Sequence, residues 1–135
     1  MVFAVYNSPP GGSHSLPANT VEKIVGVQLN TGNNVSQFWT VFGKVVVDNS
    51  TNSQPVKVQA QLVVPGSLTP LLDTSIATIP ANGLGSIPLE GVPAQTDAAM
   101  CVEIHCKAFP PGATPGAEYA RLIAISVDRA SPLTC

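Results

Sequence analysis

Hydrophobic and polar residues alternate along most of the chain, and a period of two is typical of β-strands. In the segment 56–64, Val56, Val58 and Leu62 alternate with Lys57 and Gln59. This alternation predicts a strand with one buried and one solvent-exposed face. The same period predicts further strands at residues 21–29, 75–79, 84–89, 100–108 and 119–128.

Residues 35–48 form the most apolar of the predicted strands. Trp39 and Val41 fall on one parity, while Phe38, Phe42 and Val46 fall on the other. Both faces are therefore largely apolar in the middle of the strand. This pattern predicts a strand that runs through the centre of the fold or lies under a partner chain.

Turn sequences separate the predicted strands, and prolines interrupt every candidate helix. About eight short strands divided by turns favour a β-sandwich or a jelly roll. We predict an all-β fold, a single antiparallel β-sandwich that is jelly-roll-like. The length of 135 residues fits one domain. Within it, we expect residues 1–20 to form an N-terminal arm with the first strand and residues 21–135 to form the sandwich.

One short sequence occurs twice. Leu-Pro-Ala-Asn-Thr at 16–20 and Ile-Pro-Ala-Asn-Gly at 79–83 each precede an apolar strand. Two related hairpins on a two-sheet sandwich explain the repetition, and so does chance use of turn residues.

Composition excludes several classes of function. Charged residues make up 10 % of the chain, against about a quarter in typical proteins. Six Lys+Arg against eight Asp+Glu, without a basic cluster, argue against a nucleic-acid binder. No apolar run approaches the roughly 18 residues of a membrane helix, and no secretory signal is visible at the N-terminus. The positive mean hydropathy of +0.27 indicates exposed apolar area of the kind that marks interfaces.

The cysteines are odd in number, namely Cys101, Cys106 and Cys135. At least one thiol is therefore free or pairs between chains. Cys106 falls on the apolar parity of its strand, which predicts a small buried hydrophobe. Cys135 and Cys101 are the candidates for a disulfide between subunits.

Residues Cys101, Glu103 and His105 share one predicted strand face and suggest a metal site or a thiolate–imidazole pair. On one strand, however, Cys101 and His105 are on the order of 13 Å apart. We therefore favour a solvated polar face. No set of residues has the pattern of a catalytic, cofactor or metal site, and we predict no enzyme and no cofactor.

Aromatic residues offer a different route to a ligand, because exposed rings stack on sugars. The candidates for ligand or interface contacts are Trp39, Tyr6, Tyr119 and Phe109. Trp39 lies in the most apolar strand, which favours a core role. Two glycosylation sequons, at 34–36 and 49–51, are attributed to chance in a chain rich in Asn, Ser and Thr.

Segments 56–64, 72–83, 86–92 and 122–127 resemble, in their rhythm of strand and turn, small jelly-roll or β-sandwich proteins of bacterial surfaces. The resemblance implies a surface or shell role. In that pattern a cysteine near position 60 pairs with one near position 106. Here position 60 is Ala60, so the resemblance implies that this disulfide is absent.

Together these features predict a non-enzymatic structural protein: a self-assembling jelly-roll subunit on the surface of a virion, spore or cell, in a layer or fibre. The expected partners are copies of itself and a second shell or surface protein, without nucleic acid or membrane insertion. The alternative is a β-sandwich module that binds carbohydrate or another ligand.

Overall fold

The computed structural model describes residues 2–7, 14–30, 38–93, 99–109 and 114–127, and these ranges contain nine strands. The strands are β1 (Val2–Asn7), β2 (His14–Ser15), β3 (Glu22–Asn30), β4 (Phe38–Asp48), β5 (Val56–Val63), β6 (Leu71–Ile79), β7 (Leu84–Gly91), β8 (Ala99–Phe109) and β9 (Gly116–Val127).

The strands pair in a nested order around the turn between β5 and β6. Going outward from that turn, β5 pairs with β6, β4 with β7, β3 with β8 and β1 with β9, all antiparallel. Two further pairings, β4 with β9 and β5 with β8, close the strands into two sheets. The first sheet has the order β1-β9-β4-β7, with β2 also on β9, and the second has the order β3-β8-β5-β6. Nested antiparallel pairs in two sheets form a jelly roll, so the predicted fold class is confirmed.

The core lies between the two sheets and is built from the apolar parity of each strand. Its largest fully buried side chains include Trp39, Leu62, Ile104 and Leu122. Gly43 occupies a core position on β4, where an added Cβ would come within 2.9 Å of Ile104 Cδ1 on the opposite sheet. The glycine in this apolar strand therefore allows the two sheets to approach closely.

Strand β6 begins at Leu71, four residues before the predicted start at Ser75. The pairing of β5 with β6 is irregular here, since Leu62 lies opposite Asp73 and Val63 lies opposite Leu71. Leu72 is the extra residue of this bulge, and its side chain packs against the core. The bulge breaks the alternation, which is why the pattern concealed the start of the strand.

The repeated sequence forms two similar turns. Asn19 and Asn82 adopt left-handed backbone conformations, with φ of 58° and 56°. Asparagine tolerates this region better than most residues. In both copies the first residue is buried, Leu16 before β3 and Ile79 before β7. The two copies of the sequence therefore form similar turns, one before β3 in the second sheet and one before β7 in the first.

Two buried asparagines hold three loops together at one end of the sandwich. The Asn49 side-chain amide donates to the carbonyls of Gln54 at 2.9 Å and Pro80 at 3.0 Å. Its Oδ1 accepts a hydrogen bond from Asn52 Nδ2 at 2.7 Å, and Asn52 Nδ2 also contacts the Thr114 carbonyl at 3.4 Å. The β4–β5 loop is thus bonded to the β6–β7 turn and to the segment before β9.

The same burial bears on the two sequons. Asn49 is fully buried, and its Nδ2 atom, to which a glycan would be attached, is already hydrogen-bonded. Asn49 is therefore not a glycosylation site in the folded protein. The sequon at 34–36 lies outside the described residues.

Candidate interaction surfaces

The outward face of the second sheet is mainly polar, with Ile76 on β6 as an exposed hydrophobic exception. It carries Lys57, Gln59 and Gln61 on β5, followed across the sheet by Glu103 and His105 on β8. Gln61 lies directly opposite His105 in the register. Such a face is suited to water, which agrees with the solvated face expected for this part of β8.

Glu103 is the centre of a small charged cluster on this face. Its carboxylate contacts Lys23 Nζ at 2.8 Å and His105 Nε2 at 3.0 Å. The hydrogen bond from Lys23, and then that from His105, lower the pKa of Glu103, while Glu103 raises the pKa of Lys23. Cys101 is exposed on the same strand. In the part of the chain that the structure describes, no group of three or more His, Cys, Asp or Glu side chains is placed to hold a metal ion.

Cys101 and Cys106 lie on opposite faces of β8, as their parity predicts. Both are free thiols, with Cys101 exposed and Cys106 buried. Burial raises the pKa of Cys106 to about 12. Ala60 lies directly opposite Cys106 in the pairing of β5 with β8, so the two positions linked in the resembled pattern are neighbours here. Cys135 lies outside the described residues.

We expect the two thiols of β8 to react at very different rates. At neutral pH, Cys106 stays protonated and buried, whereas Cys101 is accessible to reagents. Alkylation of the folded protein, followed by peptide mass spectrometry, should modify Cys101 and leave Cys106 intact. In denaturant both should react. Rapid alkylation of Cys106 in the folded protein would contradict the burial described here.

The candidate aromatic residues do not form one platform. Trp39 is 1 % exposed and faces the core, so its ring is not available to stack on a sugar. Tyr119 is half-buried on the first sheet, while Phe109 is half-buried on the second, where Lys107 Nζ lies 4.9 Å from its ring centre. Tyr6 lies opposite Arg121 in the register, and its side chain is outside the description.

The outward face of the first sheet is more apolar. We call the outward residues of β9, β4, β7 and the adjoining Val92 the β4–β9 face. Eight large hydrophobic side chains are exposed in the described ranges, and half of them lie on this one face: Phe42, Leu84, Val92 and Ile125. Phe42 is 42 % exposed and lies directly opposite the half-buried Ile123. The apolar second parity of residues 38–46 is the sequence signal for this face, and in one copy of the chain it remains exposed.

Charged side chains are interspersed on and beside the β4–β9 face. Lys44 lies opposite Arg121, and Glu90 lies opposite Phe42. Asp73 reaches Glu90 from the neighbouring sheet, where its Oδ2 accepts a hydrogen bond from the Glu90 backbone N–H at 2.9 Å. Phe42, Asp73 and Glu90 line an open depression of about 430 Å³. Sequence reasoning missed these four charged residues, because they meet only through strand register.

The strand order defines a jelly-roll sandwich, and solved structures share this fold. The chain is similar to a chain in the structure of infectious bursal disease virus, Gx strain, with a TM-score of 0.63 and 11 % identity over 93 % of this chain. It spans a third of that viral chain, 33 %. No protein-family model and no curated protein matches the sequence.

Two shorter proteins match over almost their whole length. The globular domain of zebrafish complement 1qA protein has a TM-score of 0.53 and 9 % identity, covering 96 % of this chain and 98 % of that one. The PRD1 vertex protein P5 has a TM-score of 0.50 and 13 % identity, covering 96 % of each chain. At these identities the likeness shows the fold alone. The viral matches do not support the bacterial part of the resemblance.

In the ranges described, no helix is long and apolar enough to cross a membrane.

Proposed function

We propose that this protein is a non-enzymatic structural protein, a self-assembling jelly-roll subunit of a virion shell. The observation that carries the proposal is the exposed apolar β4–β9 face on a chain with very few charges. Exposed apolar side chains with polar residues around them are characteristic of protein interfaces. The partners proposed are copies of the chain, with another shell protein as a second partner.

The contrast between the two outer faces supports this proposal. The second sheet presents mainly polar side chains outward, with Ile76 among them, whereas the first combines Phe42 and Ile125 with a few charged side chains. In a monomer both outer faces contact water, so solvation alone does not account for the difference between them. The difference is expected for a subunit that packs one face against a neighbour and leaves the other face exposed to solvent.

The fold neighbours favour a virion over a spore or a cell surface. Two of the similar structures are those of a virus and of the PRD1 vertex protein P5. The complement domain has the same fold in a different setting. The proposed virion location rests on the viral neighbours, whereas the proposed self-assembly rests on the exposed apolar face.

Replacing Phe42 tests the proposal. Phe42→Ser removes the exposed ring at the middle of the β4–β9 face, and we expect the Kd of self-association to rise about tenfold or more, as for a central interface residue. The matched control is Ile76→Ser, because Ile76 is 57 % exposed on the second sheet. Sedimentation velocity across a concentration series measures both. Equal association of the two variants would contradict the role of this face.

Cys101 and Cys135 remain the candidates for a disulfide between subunits. Cys101 is exposed on the second sheet and therefore lies away from the β4–β9 face. A disulfide at Cys101 would thus join copies through a separate contact. Reductant should break that contact without separating copies that are held by the apolar face.

A further inference from the structure

Opposite charges around Phe42 point to one particular way for two copies to meet. We propose that two β4–β9 faces pack about a two-fold axis beside Phe42, so that Lys44 of each copy contacts Glu90 of the other. Arg121 then extends towards the same glutamate and the adjacent Asp73. This inference rests on the proposed self-assembly and deepens it by naming the contact.

The two cations are unexplained within a single copy. Lys44 and Arg121 lie directly opposite each other on β4 and β9, and like charges in that arrangement repel. Among the described residues, neither forms an ion pair. The whole chain has only six Lys+Arg, yet two of them are adjacent on its most apolar outer face. An acidic group from outside the copy would remove the repulsion.

The acidic counterpart lies on the other side of Phe42. Glu90 is directly opposite Phe42 on β7. Asp73 holds its position beside Glu90 by accepting hydrogen bonds from the backbone N–H groups of Thr74 and Glu90, both at 2.9 Å. In the described part of the chain, no cation forms an ion pair with either carboxylate. Lys44, Arg121 and Glu90 on the β4–β9 face, and Asp73 at its β7 edge, thus form no ion pair within the described part of the chain.

Strand register places these charges where a two-fold axis exchanges them. Lys44 is two residues from Phe42 along β4, and Glu90 is opposite Phe42, so Lys44 and Glu90 are diagonal neighbours about 7–8 Å apart. A two-fold axis in the plane of contact, passing beside Phe42, moves each of these positions onto the other. The two Phe42 rings then pack together at the centre, and every charge contact forms twice.

Complementary charge reversal tests this arrangement. The first variant, K44E/R121E, makes the cationic positions acidic. The second variant combines Glu90→Lys with Asp73→Asn; it replaces the acidic groups by a cation and a neutral amide, whose oxygen can still accept the bond from the backbone N–H of residue 90. Each variant alone opposes like charges or removes attractive pairs in both halves of the contact, and we expect its Kd to rise about tenfold or more. In a mixture, both halves of the contact between unlike variants are attractive.

The expected result is therefore that an equimolar mixture associates while neither variant does so alone, with a one-to-one complex in native mass spectrometry. The control is K57E/K107E, which alters two lysines of the second sheet and should leave association unchanged. Trp39 emission checks that each variant is folded. As a second measurement on the unmodified chain, added salt should weaken association.

Two outcomes would overturn this contact: charge-reversed variants that associate as the unmodified chain does, or a mixture that stays as weak as its components. If a variant fails to fold, salt-independent association of the unmodified chain overturns it equally. In all these cases the unmodified chain still self-associates, and the proposed function stands. A monomeric unmodified chain would instead remove the proposed function.

Discussion

Replacing Asn49 with leucine should lower the free energy of unfolding by about 3 to 5 kcal/mol, because each buried polar group left without a partner costs about 1–3 kcal/mol. The substitution removes the donor to the carbonyls of Gln54 and Pro80 and the acceptor of the 2.7 Å bond from Asn52. Leucine has a similar volume but can replace none of these bonds. Urea unfolding followed by circular dichroism measures the loss.

The matched control for Asn49→Leu is Ser53→Ala in the same loop. Ser53 is exposed, and its replacement should change stability by no more than about 0.5 kcal/mol. If Asn49→Leu were as mild as the control, the three loops would not depend on the buried asparagine. The Asn49 amide would then have no structural role.

Replacing Trp39 with alanine should cost about 3–5 kcal/mol, the usual effect of removing a large buried aromatic side chain. Trp39 is 1 % exposed and is the largest of the fully buried side chains in the described core. The lost stability combines the free energy of burying the indole with the cost of the cavity that its removal leaves between the sheets. Because total stability is about 5–15 kcal/mol, this is a large fraction of it.

The comparison variant for Trp39→Ala is Phe42→Ala, on the opposite face of β4. Phe42 is 42 % exposed, so its replacement should destabilise the single chain far less while weakening association. Urea unfolding by circular dichroism at low protein concentration separates the two effects. Similar losses for both variants would show that Trp39 is not the core residue described here.

The alternation of hydrophobic and polar residues predicted the fold class because each sheet of a sandwich has one buried face. Val56, Val58 and Leu62 alternate without interruption in β5, and that strand lies where the pattern placed it. The pattern failed at Leu72, where a bulge adds one residue and shifts the parity. Local periodicity therefore gave strands reliably wherever pairing was regular.

The candidate surface could be predicted only in part. The apolar second parity around Phe42 indicated a strand that a partner chain covers. Nothing local could place Arg121 beside Lys44, or Asp73 beside Glu90, since these neighbours come from distant strands. Register between strands is a property of the whole fold, and the charge pattern emerged only with it.

The buried asparagines illustrate the same limit. Asn49 and Asn52 lie in a run of polar residues, 48–54, that has the composition of an exposed turn. Their burial follows from the β6–β7 turn and from Thr114, which bring carbonyl groups to the amides. A polar sequence thus forms a loop that buried side-chain hydrogen bonds hold in place.

The most direct test of self-assembly is the native mass of the unmodified chain, measured by light scattering over a concentration series with and without reductant. We predict a defined oligomer with an even number of subunits, which persists in reductant because the apolar β4–β9 face holds it together. An additional loss of mass on reduction would assign a disulfide at Cys101 or Cys135 to a second contact. A monomer of 13.9 kDa at every concentration, in both conditions, would contradict the account and leave a ligand-binding module as the alternative.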